Sequence, residues 1–110
     1  MIRGPGFRII DGRGFHITLP NNYTLSVQFG AGNYCSNYNE SIVEEMEQAR
    51  LGKLNRQSPD AEIAAWAPDG KWVTRDIWQS VFGKSVNDDV VGRVGPAEVV
   101  ELLCHLRGLS

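Results

Sequence analysis

The chain has 110 residues, of which 42% are hydrophobic and 22% charged, and its formal net charge is −2. This length suits one domain with a single core, and the charge argues against a dedicated nucleic-acid binder, which usually has a strong basic excess. No apolar run approaches the roughly 20 residues that span a bilayer, and the N-terminal sequence has no apolar signal core, so we expect neither membrane insertion nor export.

The first element along the chain is predicted within residues 1–14, as a flexible arm or an edge strand. Phe7 to Ile10 has the length and composition of a short strand, and Asp11 and Gly12 after it form a common turn sequence. We treat residues 1–110 as a single domain that includes this arm.

A hairpin is predicted next, because apolar and polar residues alternate over 15–19 and again over 24–29. Asn21 or Asn22 can adopt the left-handed conformation that the intervening turn needs. One face of the hairpin is expected to be buried. The other face is expected to be polar and solvent-exposed, and it carries His16, Thr18, Thr24, Ser26 and Gln28.

The segment that follows, FGAGNYCSNYN at 29–39, is rich in Asn, Tyr and Gly and contains no charged residue. It leads into a predicted helix over 41–54, where Ser41 and Glu44 have the spacing of a capping box. The composition fits a binding loop and a plain structural connection equally well. A reactive-cysteine loop around Cys35 is the weaker third alternative.

The second half of the chain begins with a predicted strand over 61–66, a turn at Asp69-Gly70 and a return strand over 71–73. A helix capped by Thr74 is expected to run to Phe82. A short strand over 90–94 and a helix from Pro96 to Leu106 complete the pattern. Hairpins and two main helices without regular βαβ alternation predict an α+β domain, with a small antiparallel sheet packed against the helices.

Residues with catalytic or metal-binding chemistry are few. Cys35 could act as a nucleophile with His16 or His105 as its base, and Asp88 with Asp89 could hold a divalent cation. The two Cys and two His have the right count for zinc but lack metal-ligand spacing. We therefore predict no catalytic residue, no cofactor and no metal, and retain a small enzyme using Cys35 or Asp88/Asp89 as the alternative.

Aromatic, amide and basic side chains are better candidates for a binding surface. Trp66 and Trp78 are assigned to the core, whereas Trp72 beside the turn is expected to be exposed. Aromatic and Arg side chains often anchor interfaces, and Asn can read the edge of a planar ligand. The candidate ligand- or partner-binding residues are Arg8, Arg13, His16, Asn33, Tyr34, Asn37, Tyr38 and Trp72.

Four segments carry a resemblance that extends over most of the chain: FHITLPNNYTLSVQFGAGNYCSNYN, DAEIAAW, DGKWV and DDVVGRVGPAEVVELL. In these segments the chain resembles small hypothetical proteins encoded by tailed bacteriophages and prophages. The resemblance implies a setting in the host cytoplasm and a role in counter-defence, by sequestering a signalling nucleotide or blocking a host defence protein. It carries no catalytic or ligand residue with it.

The expected function is therefore that of a non-enzymatic binding protein. Exposed hairpin edges favour a homo-oligomer, because an unpaired strand can add a second copy. A nucleic-acid-associated factor using Arg3, Arg8 and Arg13 is a further alternative. Three Arg residues near a chain end are weak evidence for it, and we expect no nucleic-acid partner.

Overall fold

The computed structural model describes residues 4–30, 33, 35, 50–51 and 57–110. Its strands are β1 (Gly6–Ile10), β2 (Gly14–Thr18), β3 (Thr24–Gln28), β4 (Ala61–Trp66) and β5 (Val91–Val94). They form one antiparallel sheet in chain order, and the helices α1 (Thr74–Phe82) and α2 (Pro96–Arg107) accompany it. The predicted α+β class is confirmed. Of the helix predicted over 41–54, only residues 50 and 51 are described, and residue 50 is helical.

The hydrophobic core lies between one face of the sheet and the two helices. The register aligns Leu25 with Ala65 and Val27 with Ile63 on this face, and Leu102 and Leu106 of α2 pack against them. Trp78 also packs against this core, as the sequence indicated. The alternation over β2 and β3 thus correctly identified the buried face.

The turns between strands also follow the sequence signals. Asn22 has a φ of 69°, so it is the residue that adopts the left-handed conformation in the β2–β3 turn. The neighbouring Asn21 donates through Nδ2 to the carbonyl oxygens of Leu106 (2.7 Å) and Leu109 (2.8 Å). This amide therefore joins the β2–β3 turn to the C-terminal end of α2.

The two helices begin differently from each other. We expected Thr74 to cap α1, and this is wrong: Val73 is the N-cap, and the Thr74 hydroxyl instead accepts the main-chain N–H of Ala65 at 2.9 Å. At α2, the Glu98 carboxylate accepts the main-chain N–H of Gly95 at 3.0 Å, which satisfies a donor at the helix entrance.

The return strand predicted over 71–73 is absent from the described sheet. Trp72 forms only an isolated bridge to Trp66, after a turn in which the Gly70 N–H donates to the Ala67 carbonyl oxygen. The chain enters α1 at Thr74 immediately afterwards, so too few residues remain for a strand.

The polar face of the sheet is less exposed than the sequence suggested. Thr18 and Ser26 are buried, and Ala64, which pairs with Ser26, is buried as well. The expectation that Thr18 and Ser26 face solvent is therefore wrong.

The edge strand β1 extends beyond the core. Its residues Phe7 and Ile9 continue the rows of the core face, but their side chains are 76% and 79% exposed. The predicted edge strand is confirmed within the described sheet. Of the helices in the described residues, none is both long and apolar enough to cross a bilayer.

Candidate functional site

A cavity of about 570 Å³ opens on the polar face of the sheet. Strands β1 to β4 supply its floor, and the turn after β4 supplies one wall. Its lining comprises Gly4, Arg8, His16, Thr18, Asn22, Thr24, Trp66 and residues 67–70. This volume lies within the range of about 300–1,000 Å³ that is usual for small-molecule pockets.

The strand register explains why these side chains meet. Arg8 pairs with His16 across β1 and β2. In the next row of the same face, Thr18 pairs with Thr24, which in turn pairs with Trp66. Two adjacent rows of an antiparallel sheet therefore place a cation, an imidazole, two hydroxyls and an indole on one surface.

The aromatic side of the pocket is built around Trp66. Its ring centroid lies 5.2 Å from that of His16 at an interplanar angle of 52°. The ring of Trp72 packs edge-on against Trp66 from the other side, with centroids 4.8 Å apart. Assignment of Trp66 to the core is wrong, because its position in β4 directs it to the polar face.

The hydroxyls of Thr18 and Thr24 form a polar pair beside this indole. Their Oγ1 atoms are 2.9 Å apart, and either oxygen can be the donor. Each hydroxyl has further lone pairs, so the pair can accept from or donate to a bound group without losing its own bond.

Positive charge reaches the pocket from Arg8. Its guanidinium is exposed and forms no ion pair or hydrogen bond with another described residue. Burial and the neighbouring Arg8 charge lower the pKa of His16 below its usual 6.5, so the imidazole is favoured in its neutral form. Asp69 lies on the opposite wall, where its Oδ1 accepts the main-chain N–H of Lys71 at 2.9 Å.

The remaining candidate residues are distributed differently. Arg13 lies in the turn between β1 and β2, whereas the pocket wall lies beyond the opposite end of β1. Trp72 is 45% exposed and reaches the pocket only through its contact with Trp66. Tyr34, Asn37 and Tyr38 lie outside the described residues.

Asn33 lies at the far end of the polar face and is buried. Its Oδ1 accepts the main-chain N–H of Gly30 at 3.1 Å, and its Nδ2 donates to Gln28 at 3.0 Å and Glu62 at 3.2 Å. These bonds occupy the amide, so at this position the 29–39 segment makes a structural connection.

Of the residues considered for catalysis and metal binding, His16 lines the pocket, whereas Cys35, Asp88 and Asp89 are not part of its lining. Cys35 is fully buried, and its thiol donates to the Gly30 carbonyl oxygen at 3.6 Å. Asp89 pairs with Arg75 at 3.1 Å on the surface, and Asp88 accepts the Asp89 N–H. Within the described ranges no three His, Cys, Asp or Glu residues lie together in a way that could hold a metal ion.

Sequence reasoning missed Trp66 and the hydroxyl pair as pocket residues. The signal for the pair was available, because the predicted hairpin places Thr18 opposite Thr24. The pairing of β3 with β4 could not be read from local alternation, and this pairing brings Trp66 to them.

Comparison of the chain with protein-family models, curated proteins and solved structures finds no match.

Proposed function

We propose that this chain is a non-enzymatic binding protein that holds a small, planar, anionic ligand of the nucleotide class in the pocket on its polar sheet face. The observation that carries the proposal is that one cavity of about 570 Å³ is lined both by the Arg8 guanidinium, which pairs with no other described side chain, and by the Trp66 indole.

Each part of such a ligand has a complementary group. A base can stack against the indole of Trp66, and aromatic stacking is worth about 1–3 kcal/mol per base. A phosphate can take a charge-assisted hydrogen bond from Arg8. The hydroxyls of Thr18 and Thr24 can bond to a sugar or to the base edge. Asp69 on the rim disfavours a second phosphate at that end, so the phosphate is oriented toward β1.

The biological role that we propose follows from the resemblance to phage accessory proteins. The chain would act in the host cytoplasm during infection and reduce the free concentration of a signalling nucleotide by binding it. Sequestration needs affinity and copy number but no chemistry, which suits a pocket whose described residues offer no cluster that could hold a metal ion.

The proposal is tested by calorimetric titration of the purified chain with a panel of linear and cyclic mono- and dinucleotides. Arg8→Gln is expected to weaken binding of the ligand that binds wild type by about tenfold or more, since a charged hydrogen bond is worth about 1.5–3 kcal/mol. Arg13→Gln is the matched control and is expected to bind like wild type.

Two results would contradict this proposal. One is the failure of every panel member to bind at millimolar concentration. The other is equal weakening by Arg8→Gln and Arg13→Gln, which would indicate a general charge effect. Recovery of a host polypeptide on protein drawn from infected cells would instead favour a protein inhibitor, for which the exposed Trp72 is the first residue to change.

A further inference from the structure

Within the described sheet, β1 has no strand on its outer edge, and this edge has an unusual combination of features. It combines two exposed apolar side chains, Phe7 and Ile9, with the pocket cation Arg8 between them. Phe7 and Ile9 are on the core face of the sheet, and Arg8 is on the polar face. In the strand sequence GFRII, Arg8 thus has one large apolar neighbour on each side.

The hydrogen-bond pattern of the sheet shows which main-chain groups point outward. The Leu19 N–H donates to the Tyr23 carbonyl oxygen, and the Phe29 N–H donates to the Arg13 carbonyl oxygen. Odd-numbered residues along β2 therefore bond to β3, and even-numbered residues bond to β1. The even-numbered residues of β1, including Arg8, therefore direct their main-chain N–H and C=O groups toward β2. Phe7 and Ile9 direct theirs to the outer edge of the described sheet.

We propose that a second copy of this chain pairs antiparallel with β1 about a two-fold axis at Arg8, and that the two Arg8 side chains then serve one shared anion site. In this register Phe7 of one copy faces Ile9 of the other and exchanges both main-chain hydrogen bonds with it. The isologous contact uses the same surface twice, as closed two-fold symmetry requires.

The same register makes the Arg8 residues a non-hydrogen-bonded pair. The Cα atoms of such a pair lie about 4.5 Å apart, and the side chains are closer than in a hydrogen-bonded pair. Two Arg side chains that start from Cα atoms this close bring like charges together, and their guanidinium groups repel each other unless an anion lies between them. The part of the inference that concerns the shared anion rests on the proposed function of the pocket, whereas the strand pairing does not.

The area available indicates that the dimer is weak without a ligand. The apolar side chains of Phe7 and Ile9 from both copies contribute roughly 600 Å², well below the total of about 1,200 Å² at which stable interfaces begin. An anion that neutralises both Arg8 residues should therefore strengthen the dimer, and by linkage the dimer should strengthen anion binding.

The register can be tested by disulfide trapping. The variants are made in a Cys104→Ser background, which removes the exposed native thiol. Arg8→Cys is then expected to give a disulfide-linked dimer on mild oxidation, because the Cα atoms of a disulfide lie about 4.4–6.8 Å apart. Arg13→Cys is the matched control and is expected to stay monomeric. Adding Ile9→Pro to Arg8→Cys removes an outward N–H without breaking the β1–β2 pairing and should abolish the crosslink.

The association itself can be measured by sedimentation of wild type over a concentration series. Ile9→Lys is expected to abolish dimer formation, and Val100→Lys, at another exposed apolar position (58% exposed), to leave it intact. Inorganic pyrophosphate is expected to lower the dimer dissociation constant about fivefold or more relative to sodium chloride of equal ionic strength. Arg8→Gln should dimerise without this response.

The outcomes separate the inference from the proposed function. A wild-type chain that stays monomeric at every concentration, or equal crosslinking by Arg8→Cys and Arg13→Cys, overturns the β1 dimer. If the monomer nevertheless binds a nucleotide, the proposed function stands alone. A dimer that forms but ignores pyrophosphate overturns the shared anion site.

Discussion

His16 lies at the centre of the pocket, next to a cation on one strand and an indole ring on another. Burial and the charge of Arg8 both lower its pKa below 6.5 in the folded chain. Between that lowered pKa and 6.5 the unfolded chain binds more protons than the folded chain. This contribution to stability is therefore complete above pH 6.5 and is lost as the pH falls.

The first prediction concerns this imidazole. The free energy of unfolding is expected to decrease between pH 7.5 and pH 5.5, and His16→Gln should make that decrease smaller by removing the group responsible. Urea unfolding at the two pH values measures the difference. His105→Gln, at the other histidine of the chain, serves as the control and should keep the wild-type decrease. An identical decrease in wild type and His16→Gln would exclude this role.

The same physics links the pocket to its ligand. A bound anion beside His16 would favour the imidazolium and raise the pKa again. Binding of a cyclic nucleotide, whose phosphodiester keeps one negative charge over this pH range, should therefore take up protons. In mild acid, His16 would therefore weaken the fold but strengthen the binding of an anion in the pocket.

At the scale of elements, β2 is held against β3 by an unusually close approach at Gly14. Its φ is +155°, and a Cβ built at this position would overlap the carbonyl oxygen of Val27. Gly6 at the start of β1 has nearly the same φ, +151°, but no atom of the described residues lies within 4 Å of its hypothetical Cβ. The two glycines thus share a backbone conformation and differ in the space around them.

This difference gives the second prediction. Gly6→Ala should cost about 1 kcal/mol, the strain of an unfavourable φ alone. Gly14→Ala should cost about 3 kcal/mol or more, because the clash with main chain adds to that strain. Chemical denaturation of both variants measures the two costs. Equal costs would mean that the β2–β3 pairing relaxes to admit the methyl group.

Individual elements also show how far the sequence predicts the structure. Alternation over 15–19 and 24–29 identified the hairpin and its buried face, because a strand exposes its side chains with a period of two. The same alternation could not show that Thr18 and Ser26 are covered, since it separates two faces without stating whether the second face packs. Trp66 was misassigned for the related reason that a large aromatic suits either face.

The candidate site was predictable only in part. Arg8, His16 and Trp72 were singled out from residue type, and the structure brings them to the Trp66 pocket or its edge. Arg13 and Asn33 were chosen for the same chemistry but lie elsewhere, because strand register decides which side chains meet and a single sequence does not encode it visibly. The pairing of β3 with β4 is the step that local patterns could not supply.

At the scale of the whole molecule, Asn21 joins two distant parts of the chain. Its Nδ2 donates to the carbonyl oxygens of Leu106 and Leu109, which lie where a helix end leaves acceptors without intrahelical partners. The β2–β3 turn therefore connects the pocket to the core. Its Asn22 lines the pocket, and its Asn21 bonds to the C-terminal end of α2.

The third prediction follows from this contact. Asn21→Ala should destabilise the fold by about 2 kcal/mol, since it removes three side-chain hydrogen bonds: two donated to the Leu106 and Leu109 carbonyl oxygens and one accepted from the Tyr23 N–H. The adjacent Asn22→Gly should change stability by only a few tenths of a kcal/mol, about the cost expected where glycine adopts a positive φ readily. Thermal unfolding of the two variants makes the comparison. A loss for Asn22→Gly as large as that for Asn21→Ala would show that turn conformation matters more than the tie to α2.

The chain-order arrangement of the sheet also bears on how quickly the molecule can form. Strands β1, β2 and β3 pair through short turns, so this meander closes small loops at little entropic cost. The β3–β4 pair is different, because residues 29–60 separate its strands. Because this loop is longer, the β3–β4 contact is expected to form most slowly. It is also the contact that brings Trp66 to the Thr18–Thr24 pair. The pocket should therefore appear late in folding, with the step that completes the sheet.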